Sequence, residues 1–146
     1  MTAFRTLLLA GSLAMASAAQ AGDDILTYPT EGDYEDALFG IESAILDRGL
    51  VIDYVSHVGE MLARTGTDVG SDVVLFDQAQ VFLFCSAKIS REVMEADPMN
   101  IGHCPYGVFV ADRGGEVVIG HRSYPDGPMQ AVQTLLTEIA EEAAAF

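Results

Sequence analysis

Residues 81–121 read VFLFCSAKISREVMEADPMNIGHCPYGVFVADRGGEVVIGH, and this stretch decides the fold class. Residues 81–84 form an uninterrupted apolar run of strand-forming residues, which is typical of a strand buried on both faces. A helix is predicted over residues 86–95, and it ends at Asp97 because a residue that precedes proline avoids helical geometry. The stretch therefore opens with a strand that leads directly into a helix.

The second half of the same stretch predicts a β-hairpin. Residues 106–111 and 116–121 are rich in strand-forming residues, and the sequence DRGG lies between them at 112–115. Adjacent glycines in so short a connection favour a tight turn between antiparallel strands. A strand, a helix and a hairpin in this order indicate a fold that mixes helices with antiparallel strands.

The residues before this stretch predict two more strands and two more helices. Asp33 is the predicted N-cap of a helix whose apolar residues recur at helical spacing, and Gly49 is its predicted C-cap. Strands are predicted over residues 25–28 and 50–55, and a short helix over residues 57–64. Each of these elements has one apolar face, so each needs a partner to cover it.

A last helix is predicted from Met129 to near the end of the chain. Helices and strands are thus mixed along the chain and include a hairpin. The predicted fold class is therefore α+β, a single compact domain with helices packed on a mainly antiparallel sheet. The pattern leaves the order of the strands in that sheet open.

The first 21 residues follow the pattern of a cleavable export signal. Arg5 precedes an apolar run over residues 7–16, and Ala19-Gln20-Ala21 fits the small-x-small rule for cleavage after Ala21. The run is shorter than the roughly 20 apolar residues that span a bilayer. We therefore expect a signal peptide at 1–21, a single domain at 22–146, a periplasmic or secreted location, and no stable membrane insertion.

The charge of the chain excludes some partners. The chain has 22 acidic and seven basic residues, a net charge of −15, and loss of Arg5 with the signal would make it −16. Nucleic acid backbones and anionic lipid headgroups would repel a protein of this charge. We expect an acidic, soluble protein that does not bind nucleic acid.

The two cysteines, Cys85 and Cys104, flank the predicted helix at 86–95 and suggest three interpretations. The first is a structural disulfide, which an even cysteine count favours in an exported protein. Parallel neighbouring strands would hold the two cysteines roughly 20 Å apart by strand rise, whereas antiparallel strands would bring them to the same end. The sequence does not determine which arrangement holds.

The second interpretation is an open site of soft ligands. Cys85, His103 and Cys104 are its predicted binding residues, and Met94, Met99 and His121 lie close in sequence or on the next strand. Thiolate, thioether and imidazole together suit copper or a haem iron. No standard zinc spacing and no CxxCH motif occurs, so the metal and the cofactor stay unidentified.

The third interpretation makes Cys85 a catalytic thiol. Cys85 lies at a strand-to-helix junction, where the helix dipole together with Lys88 and Arg91 favours the thiolate. His103 would act as its base, or Cys104 as its resolving partner. The absence of a CxxC motif argues against a thioredoxin-type role but leaves sulfur transfer open.

Residues 84–112 resemble the domain-of-unknown-function 302 family. The matching features are Cys85 at a strand end, the Glu95-Ala96-Asp97-Pro98 turn, and Cys104-Pro105 at the start of a strand. The chain departs from the family pattern at Ser86-Ala87, where typical members have asparagine and proline. His103 likewise stands where members often have proline, so the family pattern gives it no ligand role.

The resemblance implies a compact α+β domain, often a homodimer, without an established activity. It also implies that members lacking an export signal carry the same cysteine pair, and disulfides rarely persist in a reducing cytosol. The favoured function is therefore a binding module for a small ligand, metal or haem near the two cysteines. The alternative is a thiol-based redox or sulfur-transfer protein that uses Cys85, so whether the protein is an enzyme stays open.

Overall fold

The computed structural model describes residues 25–146, so the predicted signal peptide at 1–21 lies outside the described residues. The strands are β1 (Ile25–Pro29), β2 (Val51–Ser56), β3 (Gln78–Cys85), β4 (Tyr106–Arg113) and β5 (Glu116–Arg122). The helices are α1 (Tyr34–Leu46), α2 (Val58–Thr65), α3 (Ala87–Ala96) and α4 (Gln130–Ala144), with short 3-10 helices at Thr67–Val69 and Pro98–His103.

The five strands form one sheet in the order β1-β5-β4-β3-β2, and every neighbouring pair is antiparallel. Helices pack against this sheet within one domain, which confirms the predicted α+β class. Across residues 25–146, none of the helices combines the length and the apolarity that crossing a bilayer requires.

One face of the sheet is covered by helices and contains the core. Phe84 and Ile119 from the sheet pack with Ile41 of α1 and Leu136 of α4, and all four side chains are fully buried. Burial of one such side chain contributes about 1.5–3 kcal/mol to folding. We call this the covered face of the sheet, and the opposite one the open face.

The prediction that residues 81–84 are buried on both faces was wrong. Phe82 and Phe84 are buried on the covered face, whereas Val81 and Leu83 point to the open face and are only partly buried. The reason is that α1 and α4 pack on one side of the sheet, and β3 alternates its side chains between the two sides. An apolar open face is therefore left beside the core.

Short-range hydrogen bonds determine where α1 begins and ends. Asp33 is the N-cap as predicted, and its carboxylate accepts hydrogen bonds from the N–H groups of Glu35 and Asp36. The helix ends at Leu46, and its C-cap is Asp47 rather than the predicted Gly49. Gly49 instead has a positive φ of 69°, which turns the chain so that the Leu50 N–H donates to the Ile45 carbonyl.

The predicted hairpin is present between β4 and β5. Gly114 and Gly115 both have positive φ, at 67° and 85°, as a turn that joins two twisted antiparallel strands requires. The carboxylates of Asp77 and Asp112 accept hydrogen bonds from the N–H groups of these glycines, at 2.6 Å and 2.9 Å. The turn therefore fixes the register of β4 and β5 across the middle of the sheet.

Candidate ligand-binding site

The cysteine pair lies at one end of the sheet. β3 and β4 are antiparallel neighbours, with Phe84 opposite Tyr106, so Cys85 at the end of β3 and Cys104 just before β4 come to the same side. Their Cα atoms are 6.8 Å apart, and the two sulfur atoms are at disulfide-bonding distance. The antiparallel arrangement thus answers the geometric question that the sequence left open.

Hydrogen bonds hold the connection between the two cysteines. Ser86 is the N-cap of α3, with its hydroxyl accepting the Ile89 N–H at 3.3 Å. Asp97 ends α3, as predicted, and its carboxylate accepts the Met99 N–H at 2.9 Å. The side-chain amide of Asn100 donates to the Val93 carbonyl at 2.8 Å, which ties the 3-10 helix back to α3. The disulfide therefore closes a loop that is already ordered at both ends.

A cavity of about 590 Å³ lies on the open face of the sheet. Its walls are mostly apolar side chains from β3 and β4, with others from β1, from α2 and from the segment that precedes β3. The residues that contribute them include Ile25, Val58, Phe76, Val81, Leu83 and Phe109. A cavity of this volume with apolar walls and a few polar groups is typical of sites for small organic molecules.

Phe109 lies at the centre of the open face because Gly120 leaves room for it. The two residues are directly opposite each other in β4 and β5. A Cβ atom on Gly120 would meet the Phe109 ring and would lie 2.7 Å from the backbone oxygen of Leu26 in β1. The glycine therefore allows the aromatic ring to extend over β5, where it lines the cavity.

The end of the cavity beside the disulfide carries the polar groups. His103 and Cys104 line it, with the His103 ring 5.6 Å from the ring of Tyr124. Tyr124 is nearly buried and in turn contacts Tyr106, at a ring distance of 6.3 Å. Burial raises the pKa of Tyr124, while the nearby positive charge of Arg122 opposes that rise. Arg122, His103 and Tyr124 therefore form one polar cluster at this end.

The structure brings only part of the predicted site together. His103 and Cys104 line the cavity, whereas Cys85 reaches it only through its bond to Cys104. Met99 is 76% exposed, and Met94 packs against the core. Among residues 25–146, no group of three or more His, Cys, Asp or Glu side chains is arranged to hold a metal ion. The soft-ligand set predicted from sequence is thus dispersed.

His121 lies under α4 on the covered face and is 1% exposed. Its Nδ1 is 2.7 Å from the carbonyl of Arg122, so Nδ1 carries the hydrogen. Its Nε2 then accepts, with the hydroxyls of Tyr28 and Thr137 at 3.2 Å and 3.3 Å. Both ring nitrogens are therefore occupied, and burial lowers the pKa of His121 despite the opposing effect of the backbone hydrogen bond.

This buried histidine predicts a pH-dependent stability. Unfolded His121 gains a proton near pH 6.5, whereas the lowered pKa keeps the folded residue neutral. Below about pH 6.5 the unfolded state therefore binds more protons, and the free energy of unfolding falls by at most about 1.4 kcal/mol per pH unit. The fall ends once the pH is below the lowered pKa of the folded protein.

The measurement is urea denaturation of the wild type and of His121→Gln between about pH 7.5 and about pH 5. The difference in unfolding free energy between the two proteins should change with pH in the stated direction. His57→Gln is the matched control, because His57 is exposed at the start of α2. A difference that stays constant over this range would contradict the prediction.

These features define a small α+β domain with a cysteine pair at one end of an open, apolar sheet face. The chain belongs to the family described as Domain of unknown function DUF302, whose model matches residues 26–145. It is also similar to the crystal structure of uncharacterized conserved protein DUF302 from Bacillus stearothermophilus, with 15% sequence identity and a TM-score of 0.58.

The likeness covers 82% of this chain and 90% of that chain. At this identity it shows the fold and nothing about activity. No protein of curated function matches the sequence. The family resemblance of residues 84–112 is thereby confirmed, and the function must be argued from the site itself.

Proposed function

We propose that this protein is an exported binding module that holds a small, largely apolar molecule in the cavity on its open sheet face. The observation that carries the proposal is the cavity itself, of about 590 Å³, built on the open face of the sheet. The export signal predicted at 1–21 supports a periplasmic or secreted location. Cys104 and His103 line one end of the cavity, and Cys85 adjoins that end through its bond to Cys104.

The composition of the cavity favours binding over catalysis. The side chains that face it from β3 and β4, Val81, Leu83 and Phe109, carry no group that could act as an acid, a base or a nucleophile, and His103 and Tyr124 are confined to one end of the cavity. They lie on paired strands, whose backbone hydrogen bonds hold the walls in place without a ligand. When a small molecule binds to a preformed apolar site, the protein loses little conformational entropy, which favours retention of the molecule.

Filling the cavity tests the proposal. Val81 is partly buried and lines the cavity from β3, so Val81→Trp places an indole in the space that the ligand would occupy. We expect the neutral fluorescent probe N-phenyl-1-naphthylamine to bind the wild type saturably at one site. The variant should bind it at least about tenfold more weakly.

Val51→Trp is the matched control, because Val51 is 69% exposed on β2 and does not line the cavity. Far-ultraviolet circular dichroism verifies that both variants keep the fold. Equal affinity of the wild type and of Val81→Trp would contradict binding at this site, and so would an equal loss in both variants.

A thiol-based redox or sulfur-transfer role is the second candidate, and the cysteine pair favours it. Cys85 directly precedes the N-cap of α3, where the helix dipole stabilises a thiolate once the pair is reduced. A redox protein must cycle between disulfide and dithiol, whereas a binding module needs only the closed form. The two candidate functions therefore predict different contributions of the disulfide to the free energy of unfolding, a small one for a redox protein and a larger one for a binding module.

A further inference from the structure

We propose that the ligand is an amphipathic molecule with an apolar body and one carboxylate, and that Arg122 binds the carboxylate. The inference rests on the proposed binding function and adds the chemical class of the ligand. Its basis is the distribution of charge around the cavity on the open sheet face. The apolar walls would hold the body of the molecule, and the polar cluster beside the disulfide would hold its head.

The cavity lacks acidic side chains in a chain that is rich in them. The protein has 22 acidic residues against seven basic ones, yet none of the residues lining the cavity is Asp or Glu. The charged and titratable side chains there are Arg122, His103, Tyr124 and His121, and the imidazole of His121 is turned to the covered face. Among the described residues that line the cavity, Arg122 is thus the one with a permanent charge, in a protein whose net charge is −15.

Arg122 is placed to meet a ligand head at the mouth of the cavity. It is exposed at the last position of β5, opposite Ile25 of β1, and both residues line the cavity. It forms no ion pair with any residue in the described range 25–146. Its side chain is exposed to solvent, on the side of the cavity where Tyr124 and His103 lie.

The chemistry of arginine selects the head group. A guanidinium is always protonated, has only donors, and matches the two oxygens of a carboxylate with two parallel hydrogen bonds. An ammonium head would be repelled by it, and an alcohol would gain a single weaker hydrogen bond. The net charge of −15 disfavours anions in general, so a bound carboxylate depends on the local positive charge at Arg122.

The experiment compares three molecules that share one apolar body. Octanoate, octan-1-ol and octylamine are titrated calorimetrically into the full-length domain after signal removal, at about 0.15 M salt so that long-range repulsion is screened. We expect octanoate to bind about tenfold more tightly than octan-1-ol. Octylamine should bind most weakly of the three.

Arg122→Gln should lower the affinity for octanoate to that for octan-1-ol. Arg113→Gln is the matched control, because it makes the same charge change at an exposed site on the hairpin that does not line the cavity. Octanoate affinity that is equal to that of octan-1-ol, or that is unchanged in Arg122→Gln, would overturn the carboxylate assignment. In that case binding of N-phenyl-1-naphthylamine would leave the proposed function standing, whereas failure of this probe and of all three molecules would overturn both.

Discussion

Replacing both Cys85 and Cys104 by alanine is expected to lower the free energy of unfolding by about 3 kcal/mol. The bond joins residues 19 positions apart, so it closes a loop that the unfolded chain would otherwise be free to open. That figure is a large share of the stability of an ordinary domain of this size. The 3-10 helix at Pro98–His103 should loosen as well, and with it the end of the cavity formed by His103.

The measurement is urea denaturation of the oxidised wild type, of the double variant, and of the wild type with its cysteines reduced. The reduced wild type is the matched control, because it lacks the bond but keeps both side chains, and it should resemble the double variant. A difference between oxidised and reduced protein below about 1 kcal/mol would contradict a structural bond. That outcome would favour the redox candidate, because a pair that alternates between two states is held closed only weakly.

Local signals in the sequence were sufficient for most of the fold. Asp33 was found as an N-cap because its short carboxylate serves two N–H groups in its own first turn. Gly114 and Gly115 marked the β4–β5 hairpin because few other residues tolerate their backbone angles. The end of α3 at Asp97 followed from the proline after it. Each of these features depends on neighbours within a few residues, which is why pattern alone could locate it.

The open face was missed because it depends on contacts between distant parts of the chain. An apolar run such as residues 81–84 does not reveal whether one face or two will be covered by helices. Leu83 and Phe109 become neighbours in a cavity only through the pairing of β3 with β4. Val81 and Phe82 point to opposite faces of β3, but both are apolar, so the sequence does not distinguish the two faces.

Prediction of the site residues was limited in the same way, because the site also depends on contacts between distant parts of the chain. His103 and Cys104 were found because cysteine and histidine stand out in any sequence, and both line the cavity. Arg122 was not predicted as a site residue, because a single arginine at the end of a strand does not by itself indicate a binding site. His121 was included among the ligands although it lies on the opposite face, where its ring is hydrogen-bonded to Tyr28 and Thr137. Adding or losing one position in a strand reverses the face to which a side chain points.

Gly120→Ala is expected to lower the free energy of unfolding by about 2 kcal/mol, as overpacking in a filled site does. The new methyl group would meet the Phe109 ring, and it would lie 2.7 Å from the backbone oxygen of Leu26. The ring can swing away, but the carbonyl belongs to β1, which is paired with β5 and cannot yield without losing hydrogen bonds. Urea denaturation measures the loss, and the probe N-phenyl-1-naphthylamine reports whether the displaced ring has altered the cavity.

Gly107→Ala is the matched control on the same open face. Its methyl group would meet side-chain atoms of Leu83 at 3.2 Å and Val81 at 3.4 Å, and the backbone oxygen of Phe82 at 3.9 Å is in ordinary van der Waals contact. The leucine side chain can shift, the contact with Val81 is close to an ordinary van der Waals distance, and alanine is better than glycine within a strand. Stability should therefore change by less than about 1 kcal/mol. Similar decreases in the free energy of unfolding of the two variants would contradict the prediction, because the effect would then come from replacing a glycine in a strand and not from the contacts at Gly120.

A second substitution separates the ring from the carbonyl as the cause of the loss. Phe109→Leu removes the ring that Gly120→Ala would displace, so part of the strain should disappear when the two are combined. The double variant should then be more stable than the sum of the single effects predicts, by about 1 kcal/mol. Additive losses would mean that the Phe109 ring does not rest on Gly120 in solution, and that the open face, with its cavity, has another shape.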